Sequence, residues 1–383
     1  MPRCLCLVIL AWIGVSHAIR LAVVSKIIID TMVESGVQRL GGGGVQAAVG
    51  ASLSTNGEAT ISLHAPVGRD FVSTMLHNSL ATRHGVDVSP VTCLESVATT
   101  PGEIIQYDGE RMKFTPVGWD GWQELCAWVP PLEGGPYDAV HVIVEGAGTG
   151  EVDAILQTCS VHENAAELPF IGIEPVMHEV NVQSVNGLCR LSRLASLVCP
   201  DLRTAICVRR ASMDRSSQFP AAIDEAALTA ARDPVELLQL AAACFDELCM
   251  QPGAYLAIRD GAKGSYVYTR PAPGAPMRVW LACTPGNRQS EWFEAIPAVA
   301  LPEVADPTGA GNAYAGAFSA QLASGASALD ASAVATAVGA AFCRTSEWCP
   351  PKVNETRHWV MERAGELRAG AQTQTLSSYD VQL

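Results

Sequence analysis

The sequence predicts an α/β protein: a mostly parallel β-sheet flanked by helices, with a small accessory sheet. Three observations carry that reading. Apolar, β-branched runs of strand length recur along the chain, as in LAVVSKIIID, AVHVIVEG and LPFIGIEPV. Stretches of helix length separate several of them, the alternation that builds βαβ units and places ligands at the C-terminal ends of strands. Glycine-rich turns stand where helices begin, at Gly41–Gly44 and Gly309–Gly311. The chain has 383 residues, 49% hydrophobic and 17% charged, enough for a substantial core and unlike a disordered chain. A net charge of −14, with no basic cluster beyond Arg209–Arg210, argues against nucleic acid as a partner.

Taken in order, residues 1–18 (MPRCLCLVILAWIGVSHA) join one basic residue to an apolar run too short to span a bilayer. Small residues follow, so the segment reads as a cleaved secretory signal or as an apolar extension. The first implies the secretory pathway, the second the cytoplasm, and neither leaves an integral membrane span in the mature chain. The thirteen Cys show no CxxC or Cys/His ligand spacing, which argues against structural zinc.

Leu21 to Asp30 predicts one buried strand ending on a carboxylate, and RLGGGGVQAAVGASL then sets four glycines before a helix. Further strands are expected at ATISLHAPVG, AVHVIVEG, LPFIGIEPV, LASLVCP, AYLAIRDG and the apolar approach to Asp306. GERMKFTPVGWDGW (Gly109 to Trp122) breaks the rhythm and predicts a small antiparallel excursion. DPVELLQLAAACFDELCM predicts a helix with Asp233 as N-cap and Pro234 at N1. A helix around NETRHWVMERAGELR closes the domain, and 371–383 reads as a disordered polar tail. With no repeat or long linker, 19–370 forms one domain.

DPTGAGNAYAGAF (Asp306 to Phe318) is the most informative stretch. Gly309 and Gly311 permit a tight turn, and the N–H groups and dipole of the helix that follows favour an oxyanion or phosphate. A plain helix start with Asn312 as N-cap would read the same way. Gly41–Gly44 suggests a binding turn or a loop. Asp30 is an acceptor for ligand hydroxyls or a solvated strand-end carboxylate. IRDGAKGSYVYT reads by itself as a hairpin. No GxxxxGK[ST], HExxH or GxSxG occurs, and GAGTG has Glu151 where GxGxxG requires glycine.

The order and spacing of these stretches resemble the PfkB (ribokinase-like) carbohydrate kinase family from about Leu21 to Pro350. Asp30, GGGGVQAA and PVGRD resemble its sugar-binding half; DGAKGS and DPTGAGNAYAGAF resemble its nucleotide-binding half. Glu174–Pro175 and the DPTGAGN spelling resemble an atypical branch that includes a yeast killer-maintenance protein. The resemblance implies a Rossmann-like domain with a β-sheet lid, which would include or adjoin WDGW. It implies transfer of the γ-phosphoryl of ATP to a sugar or nucleoside hydroxyl, with Mg²⁺. Asp30, Gly41, Gly42 and Gln46 would then bind substrate, and Gly309, Ala310 and Gly311 would form the anion hole. Gly261 and Gly264 would border the nucleotide. Asp306 and Thr308 match a monovalent-cation (K⁺) site of some members. A homodimer through the lid is a further expectation.

Three positions depart from the family pattern. Asn312 stands where the family has its general base, and an amide has no useful basicity. Gln46 replaces an asparagine. PDLRT keeps Asp201 as one possible Mg²⁺ ligand but has Thr204 in place of a glutamate. These changes leave two expectations: a phosphotransferase with weakened catalysis, or a nucleotide- or sugar-binding relative with a regulatory or interaction role.

Overall fold

The computed structural model describes residues 18–33, 35–108, 111–132, 137–160, 169–176, 182–213, 223–270, 292–301, 304–345, 347 and 349–373. Residues 1–17, nearly all of the segment read as a secretory signal or an apolar extension, and residues 374–383 of the stretch read as a polar tail lie outside the described residues. Among the described residues no helix is long and apolar enough to cross a membrane.

The N-terminal half contributes β1 (Arg20–Val24), β2 (Ile28–Met32), β3 (Gln38–Gly41), β4 (Thr60–His64), β5 (Pro66–Val67), β6 (Thr92–Cys93), β7 (Gly102–Asp108) and β8 (Arg111–Val117). It is followed by β9 (Ala139–Val144), β10 (Phe170–Pro175), β11 (Leu197–Val198), β12 (Tyr255–Arg259), β13 (Ser265–Thr269) and β14 (Trp292–Ile296). The main sheet runs β14-β13-β12-β11-β10-β9-β1-β4. It is parallel from β4 to β12, with β13 and β14 added antiparallel at one edge. A second sheet, β3-β2-β7-β8, is the accessory one, and β5 pairs with β6 in a third.

Side-chain alternation along β1 shows why the main sheet is buried on both faces. Leu21 and Val23 join a core with the helices Gly43–Ser54, Ala310–Ala323 and Ala328–Cys343, while Ala22 and Val24 join another with Val182–Ser192, Leu202–Met213 and Pro234–Glu247. Asp233 caps the last of these, accepting from Val235 N–H at 3.0 Å and Glu236 N–H at 3.3 Å, with Pro234 opening the helix. On the other face, Gly43–Ser54 and Ala310–Ala323 approach through reciprocal glycines. A Cβ on Gly50 would overlap the Ala313 carbonyl, and one on Gly316 the Ala47 carbonyl.

Three expectations change. LAVVSKIIID is two strands, because Ser25 and Lys26 turn the chain out of the main sheet. The Ser25 hydroxyl accepts from Gly44 N–H at 3.0 Å, and buried Lys26 pairs with Glu151. Asp30 therefore lies inside β2 of the small sheet, away from the mouth of a main-sheet strand. Asp306 stands well beyond the last strand, since β14 ends at Ile296, just before Pro297. The C-terminal helix extends to Thr373, into the stretch read as tail. The WDGW stretch packs against the small sheet, with Trp119 Nε1 donating to Gly102 O at 2.9 Å and its ring stacked on Trp122 at 4.3 Å.

Candidate active site

The strand order changes direction between β1 and β9, and in open α/β sheets that crevice holds the ligand. Gly309 (φ 80°) turns the chain into the helix Ala310–Ala323 there, and no side chain among the described residues caps its N-terminus. Ala310 N–H is taken by Pro307 O at 3.2 Å. The uncapped first turn that remains suits an anion.

Close helix packing brings the two glycine runs together. Asn312 Nδ2 lies 2.8 Å, and Ile143 Cγ2 3.2 Å, from where a Cβ on Gly43 would stand. Gln46, buried on the facing helix, covers Gly309, its Cδ 3.0 Å from that glycine's Cβ position. Gly42, at φ 86°, lets the chain turn from β3 into the helix that carries Gln46.

Asp30 presses against Gly41, where any Cβ would collide with the carboxylate. Arg39, one strand over, reaches from the small sheet to the segment that leads into the Gly309–Gly311 turn. Its Nη1 donates to Asp306 Oδ2 at 2.5 Å, while its Nε lies 4.0 Å from Asp30 Oδ2. Asp306 Oδ1 accepts from Thr308 N–H at 2.8 Å. Burial pushes the Asp30 carboxyl up to about 7; Arg39 opposes that, and Glu103 and Asp306 add to it. Asp30 Oδ1, Arg39 Nη2 and Gln46 Oε1 are all buried without a hydrogen-bond partner among the described residues. Polar atoms left so in a cleft are where ligand hydroxyls would bind.

Lys26, Glu145 and Glu151 also belong to this crevice, although no sequence motif singles them out as a group. Glu151 accepts from the N–H groups of Glu145 and Ala147, both at 2.9 Å, and pairs with Lys26. Burial pushes Glu145 up to about 8 against the pull of Lys26, with Glu151, Glu103 and Glu174 raising it further. The signal was Glu151 itself, the residue that spoils a GxGxxG reading.

On the other side, Gly261 (φ 51°) and Gly264 (φ 103°) form the turn between β12 and β13. Space around Gly261 is open, and a Cβ on Gly264 would meet Ala298 N at 2.8 Å. Asp201 is exposed and caps the next helix, accepting from Thr204 N–H at 2.6 Å. Among the described residues no three His, Cys, Asp or Glu side chains gather as a metal site. A magnesium ion bound mainly by phosphates and water needs only one such carboxylate.

Residues 219–353 match the profile described as pfkB family carbohydrate kinase. No curated protein matches the chain in sequence. Among solved structures it resembles Cryptococcus neoformans ribokinase in complex with ADP, at 16% identity and TM-score 0.62 over 89% of this chain and 99% of that one. Arabidopsis thaliana ribokinase complexed with ribose and ATP aligns at 15% identity and TM-score 0.59, over 89% and 99%. Burkholderia thailandensis nucleoside kinase in complex with inosine aligns at 16% and 0.60, over 91% and 98%. The chain has the ribokinase fold, and its residues 219–353 resemble the pfkB family of carbohydrate kinases.

Proposed function

We propose that this protein is an ATP-dependent phosphotransferase acting on a sugar or nucleoside hydroxyl, with a weakened proton-removal step. The observation that carries the reading is Asn312 set against Gly43, which brings the phosphate turn and the acceptor half face to face. The small sheet acts as the lid. Asp30, Gly41, Gly42 and Gln46 hold acceptor hydroxyls, and Gly309–Gly311 cradle the transferring phosphoryl group. Gly261 and Gly264 border the nucleotide. ATP supplies the phosphoryl group when bound, with Mg²⁺ held through phosphates, water and Asp201. Phosphoryl transfer relies mostly on positioning and charge stabilisation, so loss of the base slows the reaction without abolishing it. Asp306 already carries the Arg39 cation, which makes a K⁺ ion beside it redundant in this reading.

A second reading, a nucleotide or sugar binder with little turnover, is favoured by Asn312 alone, since a neutral amide repels a triphosphate less than a carboxylate. Phosphoryl transfer from ATP to a panel of sugars and nucleosides separates the two. Turnover by the wild type that disappears in Gly311→Ala supports the transferase. Stabilisation by ATP with no turnover on any acceptor supports the binder.

A further inference from the structure

Arg259 ends β12, and none of the glycine motifs accounts for it. Its Nη1 lies 2.7 Å from the point where a Cβ on Gly311 would stand, so the cation rests on the phosphate turn itself. The same nitrogen donates to Glu174 Oε1 at 2.5 Å, and Glu174 is fully buried. The second carboxylate oxygen faces His141 Nε2 at 3.5 Å, and His141 Nδ1 meets Ser319 Oγ at 2.8 Å. Ser319 sits on the helix whose first turn holds Gly311, so this polar chain returns to the element it began on. The backbone is fixed as well: Arg259 N–H donates to Pro200 O at 2.9 Å, and Arg259 bridges to Asp201.

An arginine serving only to neutralise a buried carboxylate would grip it with two N–H groups, the stronger arrangement. Here, among the described residues, Arg259 Nε is buried without a hydrogen-bond partner, and so is Glu174 Oε2. Gln46, only 4% exposed, leaves Oε1 equally unpartnered beside Gly309. Of these atoms Arg259 Nε is the donor, and a buried donor left open beside an uncapped helix start points to an oxyanion that completes it, whereas the two oxygens would need donors instead. In the neighbouring PDLRT segment Asp201 Oδ1 is engaged by Thr204 N–H, which leaves one carboxylate oxygen for a Mg²⁺ ion and no second protein ligand in that segment's glutamate position. We propose that Arg259, aimed by Glu174 and His141, grips the terminal phosphates of a nucleotide at the Gly309–Gly311 turn. This fixed cation neutralises phosphate charge even when no divalent ion is bound. The inference rests on the nucleotide reading above and deepens it.

The test is equilibrium binding of ATP and of adenosine, each in EDTA and in Mg²⁺. The proteins are wild type, Arg259→Met, Arg259→Lys and the double variant Arg259→Met with Glu174→Gln. The double variant avoids stranding a buried carboxylate, which alone would destabilise the fold. In EDTA the wild type should prefer ATP over adenosine by about ten- to a hundredfold, the worth of a charge-assisted contact. The double variant should lose that preference while holding adenosine as well as before, and Arg259→Lys should keep part of it. An ATP preference undiminished in the double variant overturns the proposal and leaves the nucleotide reading standing. Failure of the wild type to bind either ligand overturns both.

Discussion

Asn312→Asp is the perturbation that weighs most on the proposed reaction. The two side chains are nearly the same size, so the new carboxylate would occupy the space Asn312 now fills against Gly43. It would stand in the first turn of Ala310–Ala323, where no acidic residue is present and the dipole favours negative charge by ~0.3–1 kcal/mol. The fold should therefore be no less stable. A positioned general base is worth ~10²–10⁴-fold in rate. Because Gln46 and Thr204 stay as they are, the gain should fall at the low end, ~10²-fold in kcat, or ~2.7 kcal/mol of barrier. A carboxylate facing a triphosphate should also raise the KM for ATP, so kcat and KM should move up together. Steady-state ADP release on the best acceptor measures both, with a thermal melt as the folding control. A folded variant whose kcat changes less than about threefold, against the range expected for a base, would show that proton removal is not what the amide weakens.

The other predictions concern neighbouring groups. Asp30 has a folded value of about 7 against 3.8 for the free side chain, so its protonated form favours folding. That contribution is complete below pH ~4 and is lost as pH rises through ~7, so Asp30→Asn should gain stability over wild type across that window, at most ~4 kcal/mol. Melting curves from pH 5 to 8 check it, and the acceptor KM of the wild type should fall over the same range as Asp30 ionises. Gly316→Ala places a methyl group in the Ala47 carbonyl and should cost ~1–3 kcal/mol, read as a lower Tm and weaker ATP binding. Ile104 and Val117 are exposed on one face of the small sheet, and exposed Val33 follows at the end of β2. If that face joins two copies, light scattering should find a dimer in the wild type and a monomer in Ile104→Lys.

The parts of this protein that were legible in the sequence are those with local rules. Most strand runs, the Asp233–Pro234 helix start and the glycines before helices each carry their own physics, and these appear where the pattern places them. LAVVSKIIID failed because the apolar, β-branched run resumes directly after Ser25 and Lys26. What breaks the strand is a hydroxyl bond to Gly44 and an ion pair to Glu151, partners that no window on the strand contains. The same holds for Arg39 and Asp306, which pair across 267 residues, and for Arg259 on Gly311. A charged side chain that ends a strand looks solvated until the register of the sheet is known. Ion pairs that stitch the C-terminal edge of a sheet are therefore the least readable part of such a site.

Those pairs bear on whether the site holds a phosphate or moves one. Lys26–Glu151, Arg39–Asp306 and Arg259–Glu174 are each largely buried, and buried ion pairs add little stability over apolar packing of the same volume. Their positions make better sense as charge set out for a ligand. Asp30 and Glu145, raised to about 7 and about 8, are each partly or mostly neutral near pH 7. With an amide at 312 as well, the crevice presents its cations to an incoming polyanion against less negative charge than a count of carboxylates suggests. That balance favours holding ATP in the ground state, whereas a base at 312 would favour the moment of transfer. The two demands oppose each other at one side chain. Hence a joint rise of kcat and KM in Asn312→Asp, rather than a change in either alone, is the signature of a site tuned toward binding.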